Sequence, residues 1–369
     1  MASTNLPAAV EPSRPRHRAD HADQHPHPLD DIEHGIPAPV LDAGAPLRKA
    51  ITVPVITALL VGAAFIAVFL AAFHAPTSHR LPLGIAASDA AAARVELAVN
   101  DLDGQAMSFH RYPDAAAARS AIRRDDVPAA LVTDTHRRLT LMVAGAQGPS
   151  ATGSLQATLT AALGHPVPVT DVVPLDSRDS RGLSIFYSSF GVVLAGYLFA
   201  VSSYQIAPRM ALAARVASMA AFSVASGLVV ASLACLALGA IPASFATTAV
   251  ISALLAFALA ASASLIMRAC GPAGIPLASI ALLILGNASS GGILPPQYLP
   301  AWLAPLAHAM PPGIAVRALR DAAYFHSAHL SAGLTLLAGW TVASLTVHYA
   351  LDRVSARRTR PAASTAWAT

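Results

Sequence analysis

Between Val216 and Ile293 the only charged side chain is Arg268. A chain with so little charge over so long a stretch cannot present that surface to water. Three apolar runs lie there, at residues 216–240, 246–267 and 274–293, each approaching or exceeding the roughly 20 residues a helix needs to cross a bilayer. Further runs at 50–73, 183–204 and 332–351 bring the expected spans to six. Inside hydrocarbon the backbone must satisfy its own hydrogen bonds, so these runs are expected to be helices. The whole chain is 55% hydrophobic and 12% charged with mean hydropathy +0.55, which excludes an ordinary soluble protein.

Residues 1–47 mix Pro, His, Asp and Arg without apolar periodicity and read as a disordered cytoplasmic tail. His17, His21, His25, His27 and His34 read there as solvated side chains, with a weak metal site as the alternative. The run at 50–73 follows Arg48 and Lys49, which hold the N-terminus in the cytoplasm and send the following residues outward; it lies too far along to be a cleaved leader.

Residues 75–181 are polar and alternate strand with helix. Strands are expected at 81–87, 106–112, 127–133, 138–144 and 167–175. Helices are expected at 89–99 with Asp89 as N-cap, at 114–124 with Asp114 as N-cap, and at 150–163. This pattern predicts one small α/β domain, extracytoplasmic and inserted between helices 1 and 2 of an α-helical polytopic membrane protein with six transmembrane helices. Arg123, Arg124, Asp125 and Asp126 read as a solvated helix end, and residues 134–137 as a polar turn.

The remaining charges set topology. Arg209 and Arg215 fall in one short loop and Arg268 in another, while Arg353, Arg357, Arg358 and Arg360 mark a basic cytoplasmic tail at 352–369; the loop at 239–244 is uncharged. Basic and neutral loops alternate, so both termini are expected inside the cell. Basic charge beside apolar runs is explained by a lipid bilayer, not by nucleic acid.

Residues 285–296, Leu-Gly-Asn-Ala-Ser-Ser-Gly-Gly-Ile-Leu-Pro-Pro, end the fifth run. Such non-regular backbone is tolerated at membrane depth only when buried in protein or lining a wet cavity. Either it caps a helix as a surface loop, or Gly286, Asn287, Ser289, Ser290, Gly291 and Gly292 form an outer gate on a transport path. Gly291→Leu is therefore expected to impair activity more than Ala288→Leu. Residues 294–330 are too polar and proline-broken to span. Within them, 311–325 reads as a helix along the outer membrane surface, carrying Arg317, Arg320 and Asp321, with Arg317 and Asp321 spaced to pair and Trp302, Tyr324 and Phe325 as interfacial anchors. An ordinary extracellular loop helix is the alternative.

Several chemistries are excluded. The single lysine, Lys49, precedes alanine, so no Gly-x-x-x-x-Gly-Lys-Ser/Thr phosphate loop exists and the chain is not a P-loop ATPase. The expected spans hold no acid or lysine, which disfavours a proton-driven pump, and His348 reads as interfacial. Cys235 and Cys270 form no disulfide framework, and no Cys/His spacing suggests zinc. Nor does any nucleophile–base pair stand out, so neither enzymatic activity nor a bound cofactor is expected. Ser184, Ser188, Ser189, Gly191 and Gly196 on the second span, and Ser218, Ser223, Ser226 and Gly227 on the third, suit close helix packing.

One span, an external α/β domain, then five spans, with Leu285-Gly-Asn-Ala-Ser-Ser-Gly-Gly292, Pro311-Pro-Gly313 and Ala318-Leu-Arg-Asp-Ala-Ala-Tyr-Phe325 before the last, resembles the bacterial type-2 ABC transporter permeases of the phage-infection-protein and nitrosoguanidine-resistance-like group. The resemblance covers about residues 50–352; members often carry proline where Ala288 stands. It implies a permease subunit in the bacterial cell membrane that exports a hydrophobic or amphipathic compound, a drug or lipid. It further implies a homodimer or pair of permeases working with a separate cytoplasmic ATPase, touched by the loop at 205–215 with Arg209 and Arg215. A membrane receptor or envelope scaffold acting through its external domain is the alternative.

Overall fold

The computed structural model describes residues 47–104, 106–134 and 138–358, with side chains described to Val354. The expectations for residues 1–46, for the turn at 135–137 and for Arg360 lie outside these, as do the side chains of Arg357 and Arg358. Contacts divide the chain into two units, Met1–Pro54 and Val55–Thr369. Of the first, the described residues are the start of helix α1 (Leu47–Phe73), with exposed side chains.

The second unit is mostly helical with one five-stranded mixed sheet. Five helices are long and apolar enough to span a membrane: α1, α5 (Ser184–Ile206), α6 (Leu212–Ala231, extended by a π-helical turn at Ser232–Ala237), the stretch Phe245–Ala288, and α12 (Leu330–Arg358). The fourth of these is not straight. Helix α7 (Phe245–Cys270) stops at Gly271, whose φ of +57° suits glycine. There the chain folds back so tightly that a Cβ on Gly274 would sit 2.4 Å from Met267 Cα. Helix α8 (Gly274–Ala278) then passes through a π-helical stretch, Ser279–Leu285, into a last turn, α9 (Gly286–Ala288). Long π segments are rare and concentrate where a helix is bent for use.

The sheet runs in the order β2-β1-β3-β4-β5: β1 (Leu81–Ala86), β2 (Met107–Arg111), β3 (Ala129–Thr133), β4 (Leu139–Val143) and β5 (Val169–Asp171). All pairs are parallel except β3 with β4. Helices α2 (Asp89–Asp103) and α4 (Pro149–Leu163) cover one face and α3 (Ala115–Arg123) the other. The expected elements are therefore present with boundaries shifted by a few residues. One cap differs: Ser88, not Asp89, is the N-cap of α2, its Oγ accepting from Ala91 N. Asp114 caps α3 as expected, accepting from Ala117 N at 2.7 Å.

Neither sheet face is completed by the domain's own residues. Leu294 and Tyr298 enter the core beneath α2 and α4, where the Tyr298 hydroxyl donates to Ala151 O at 3.2 Å. On the opposite face Phe325, fully buried, packs with Ile122, Val132 and Met142. The segment after residue 294 thus grips the α/β domain from both sides. This corrects the expected surface helix. Helix α11 (Pro311–Tyr324) is buried over most of its length against α5, α7 and α12, and Phe325 is core, not an interfacial anchor. Trp302 remains exposed. An amphipathic pattern signals one apolar face and one polar face, but here the polar face is covered by a second protein layer.

Candidate functional site

The stretch 285–296 ends deep in protein. Asn287 Nδ2 donates to Leu283 O, one turn back, and Ser289, Ser290 and Asn287 are all nearly inaccessible. Gly291 adopts φ +73°, open to glycine at low cost. Neighbouring glycines are there for proximity: a Cβ on Gly292 would lie 2.6 Å from the Phe186 ring, and one on Gly286 would lie 3.2 Å from Pro312. Ala288 is equally enclosed, packed with Ala72, Leu299 and Leu303. The expected contrast between Gly291→Leu and Ala288→Leu therefore loses its control, since leucine overfills both positions.

Helix α11 starts with prolines at its first positions, where no N–H is missed. Its register points Arg320 at the glycine turn, and Nη2 donates to Gly291 O at 3.2 Å. The structure thereby joins two groups of residues that the sequence leaves separate, the glycine stretch and the 311–325 helix. Arg317 does not form the expected ion pair with Asp321; its Nη1 meets Nδ1 of His308, on the short helix α10 (Ala304–Ala309). Tyr324 is partly buried beside Phe325.

Arg317 and Arg320 line a cavity of about 200 Å³ whose opposite wall is the α/β domain, with Asp125, Asp126 and Gln147, and which Gln297 and His308 complete from the segment after residue 294. Asp125 belongs to the expected solvated helix end, and this is a correction. The chain leaves α3 through a positive φ of 62° at Asp125, which turns the carboxylate inward, where Gln147 Nε2 donates to it at 2.5 Å. Arg123, Arg124 and Asp126 are exposed as expected, the last two forming a pair at 2.9 Å. Burial pushes the Asp125 carboxyl up to about 6, with the Asp321 carboxylate adding to the effect. Burial also raises Asp321 and opposes the charge on Arg317 and Arg320. His308 is lowered by burial and then by Arg317, which fits a neutral ring accepting at Nδ1. Asp125, Gln147 and His308 carry no local signal in the sequence; only the fold brings them together.

A second concavity lies between α5 and α6, an open apolar groove of about 470 Å³. Ser184, Ser188 and Gly191 line it from α5, Ser226 from α6. The small residues thus divide by face. Gly196 and Gly227 are packing positions, where an added Cβ would lie 3.0 Å from Leu259 Cβ and 2.3 Å from Ala249 O respectively. A Cβ on Gly191, by contrast, meets nothing within 4 Å.

At the opposite end of these helices the two arginines of the expected 205–215 loop separate. The loop proper is only residues 207–211, and Arg215 stands in the first turn of α6. It is buried, donating to Ala207 O at 2.8 Å and reaching Ser203 Oγ at 3.4 Å, so it closes the C-terminus of α5. Arg209 is exposed. Arg215→Gln is expected to lower stability by about 1–2 kcal/mol, the usual loss for charge-assisted hydrogen bonds, whereas Arg209→Gln should not move the unfolding temperature. Nearby, Arg268 Nε meets Asp352 Oδ1 at 3.1 Å, and buried His348 lies 3.9 Å from Asp352 Oδ2. Among the described residues no cluster of three His, Cys, Asp or Glu side chains is placed to hold a metal ion.

Comparison of the chain with protein-family models, with curated proteins and with solved structures finds no match.

Proposed function

We propose that this chain is the permease subunit of an ABC-type exporter, moving a hydrophobic or amphipathic compound and driven by a separate ATPase. The observation that carries the reading is the α5–α6 groove: apolar, open, of about 470 Å³, and floored by serines and glycine. Its surface suits an apolar body with a small polar group, and offers nothing to an ion. The resemblance of the glycine stretch and the 311–325 helix to type-2 permeases supports the same reading, as does the missing phosphate loop, which puts the ATPase on another polypeptide.

On this reading the chain crosses the membrane six times. The fold-back at Gly271 makes α7 and the Gly274–Ala288 stretch two crossings. Asp179, which accepts from Leu183 and Ser184 N–H at the start of α5, and Arg178, which lies against Gly239 in the uncharged loop, belong to the outer side with the α/β domain. Arg209 and the Arg268–Asp352 pair belong to the cytoplasmic side. Arg209 is then the residue left free to touch the ATPase, and a pair of permeases the working unit in the bacterial cell membrane. Asn287, Ser289 and Ser290 fit a closed outer gate rather than an open lip, since all three are covered.

Gly191→Leu tests the groove directly. The position has room for the side chain, so folding should be unaffected while the groove fills. Export of a lipophilic dye from cells should fall at least tenfold at unchanged protein level; unchanged export would remove the groove from the transport path. Co-purification of an ATPase from gently solubilised membranes, lost in Arg209→Glu, tests the partner separately.

A further inference from the structure

The cavity between the α/β domain and α11 holds charges that its own walls leave unmatched. Arg320 is buried, yet of the five N–H donors of a guanidinium it makes one hydrogen bond, to Gly291 O. Arg317 is engaged by neutral His308. Among the described residues no carboxylate comes within 4.0 Å of either guanidinium. Across the cavity Asp125 has a similar shortage, held by the Gln147 amide with no cation inside that distance. Asp126 is already occupied by Arg124. Groups this buried are normally paired or hydrogen-bonded, because removing a charge from water without compensation costs several kcal/mol. Arg317 and Arg320 therefore face Asp125 across about 200 Å³ without direct pairing, the buried Asp321 carboxylate acting on both arginines from beyond ion-pair distance, and the space is on the order of six or seven water molecules at roughly 30 Å³ each.

The geometry points to a binding site for a small zwitterion, its oxyanion held between Arg317 and Arg320 and its ammonium facing Asp125. A simple carboxylate would satisfy the arginines but face the Asp125 carboxylate; a simple amine would do the reverse. Only a molecule carrying both charges a few ångströms apart answers both walls. The Gln147 and Gln297 amides offer neutral hydrogen bonds between them. Burial and the Asp321 carboxylate, against the opposing effects of Arg320 and His329, hold the Asp125 carboxyl up near 6, and an ammonium beside it would relieve that strain. The same chemistry is found in a free amino acid and in the ethanolamine phosphate headgroup of a lipid. The site stands apart from the α5–α6 groove and does not depend on what that groove carries.

Thermal unfolding of the full chain in detergent, followed by tryptophan fluorescence, reads binding directly. Glycine and O-phosphoethanolamine should each raise Tm saturably at constant ionic strength, while acetate and methylammonium, alone or mixed, should not. Arg317→Gln and Asp125→Asn should each raise the half-saturating concentration at least tenfold. Arg317 is only partly buried, and asparagine tolerates the positive φ at 125, so both variants should fold. Nanodiscs of phosphatidylethanolamine compared with phosphatidylglycerol identify the source: a response to soluble phosphoethanolamine that vanishes in the former assigns the site to the lipid headgroup, and one that persists assigns it to a free solute. A wild-type protein with no saturable response to either zwitterion would overturn the proposal. So would equal stabilisation by acetate alone, or a response unchanged in both variants.

Discussion

Replacing Gly313 by alanine is expected to lower stability by about 3 kcal/mol or more, among the larger effects a single methyl can have. A Cβ at this position would stand 2.1 Å from Ala307 O and 2.9 Å from Ala307 C. Those are backbone atoms of α10, so no rotamer change relieves the clash; α10 and α11 must move apart. That displacement separates His308 from Arg317 and withdraws Arg320 from Gly291, so the zwitterion response should disappear with the stability. Gly339→Ala provides the comparison, since nothing lies within 4 Å of its added Cβ and alanine favours a helix by roughly 0.5–1 kcal/mol. Unfolding temperatures of the two purified variants check the prediction: Gly313→Ala should fall by several degrees and Gly339→Ala should hold or rise. Equal values would mean that the α10–α11 corner is loose.

Asp125→Asn is expected to do the opposite, stabilising the protein in a pH-dependent way. The wild-type carboxyl is raised from 3.8 to about 6, so the folded state holds this proton more tightly than the unfolded chain does. Below about pH 4 both states are protonated and no penalty applies. As pH rises through 6 the folded state must ionise a buried group, and stability is lost. Asparagine removes that loss while its Oδ1 still accepts from Gln147. The variant should therefore match wild type near pH 4 and exceed it above pH 7 by about 3 kcal/mol, the order expected for a shift of this size. Parallel Tm–pH curves for the two proteins would show that Asp125 is solvated after all.

Much of the secondary structure was legible because its determinants are local. Asp114 three residues before Ala117 N announces α3, and near-continuous burial along Leu81–Ala86 and Ala129–Thr133 follows from apolar residues on both sheet faces. The apolar runs announce the membrane helices for the same reason. The environment of 311–325 was not legible. Its helix could be read from the two prolines that open it, but its burial depends largely on α5, α7 and the sheet, none of which is near it in sequence. Asp125 failed differently. In the run Arg-Arg-Asp-Asp nothing marks which acid turns inward; the positive φ that follows α3 decides it, and a charged tetrapeptide carries no trace of that dihedral. Arg215 reads as a loop residue because basic residues between apolar runs usually are, whereas the helix here begins before it and its side chain closes the one preceding.

The threading of Leu294, Tyr298 and Phe325 through the sheet domain bears on how the molecule is made. Ribosomes deliver the five strands well before these three side chains, and Tyr298 lies 147 residues beyond the Ala151 carbonyl it bonds. Until the segment after residue 294 has been made, the sheet domain has gaps in both of its apolar layers. Such late, long-range closure is slow and leaves apolar surface exposed while it lasts. A nascent chain halted before residue 294 should accordingly carry a protease-sensitive domain that becomes resistant once Phe325 has packed into it. Assembly of this protein is thus a clasp that shuts last, and its sheet domain cannot mature ahead of the helices that carry Leu294, Tyr298 and Phe325 to it.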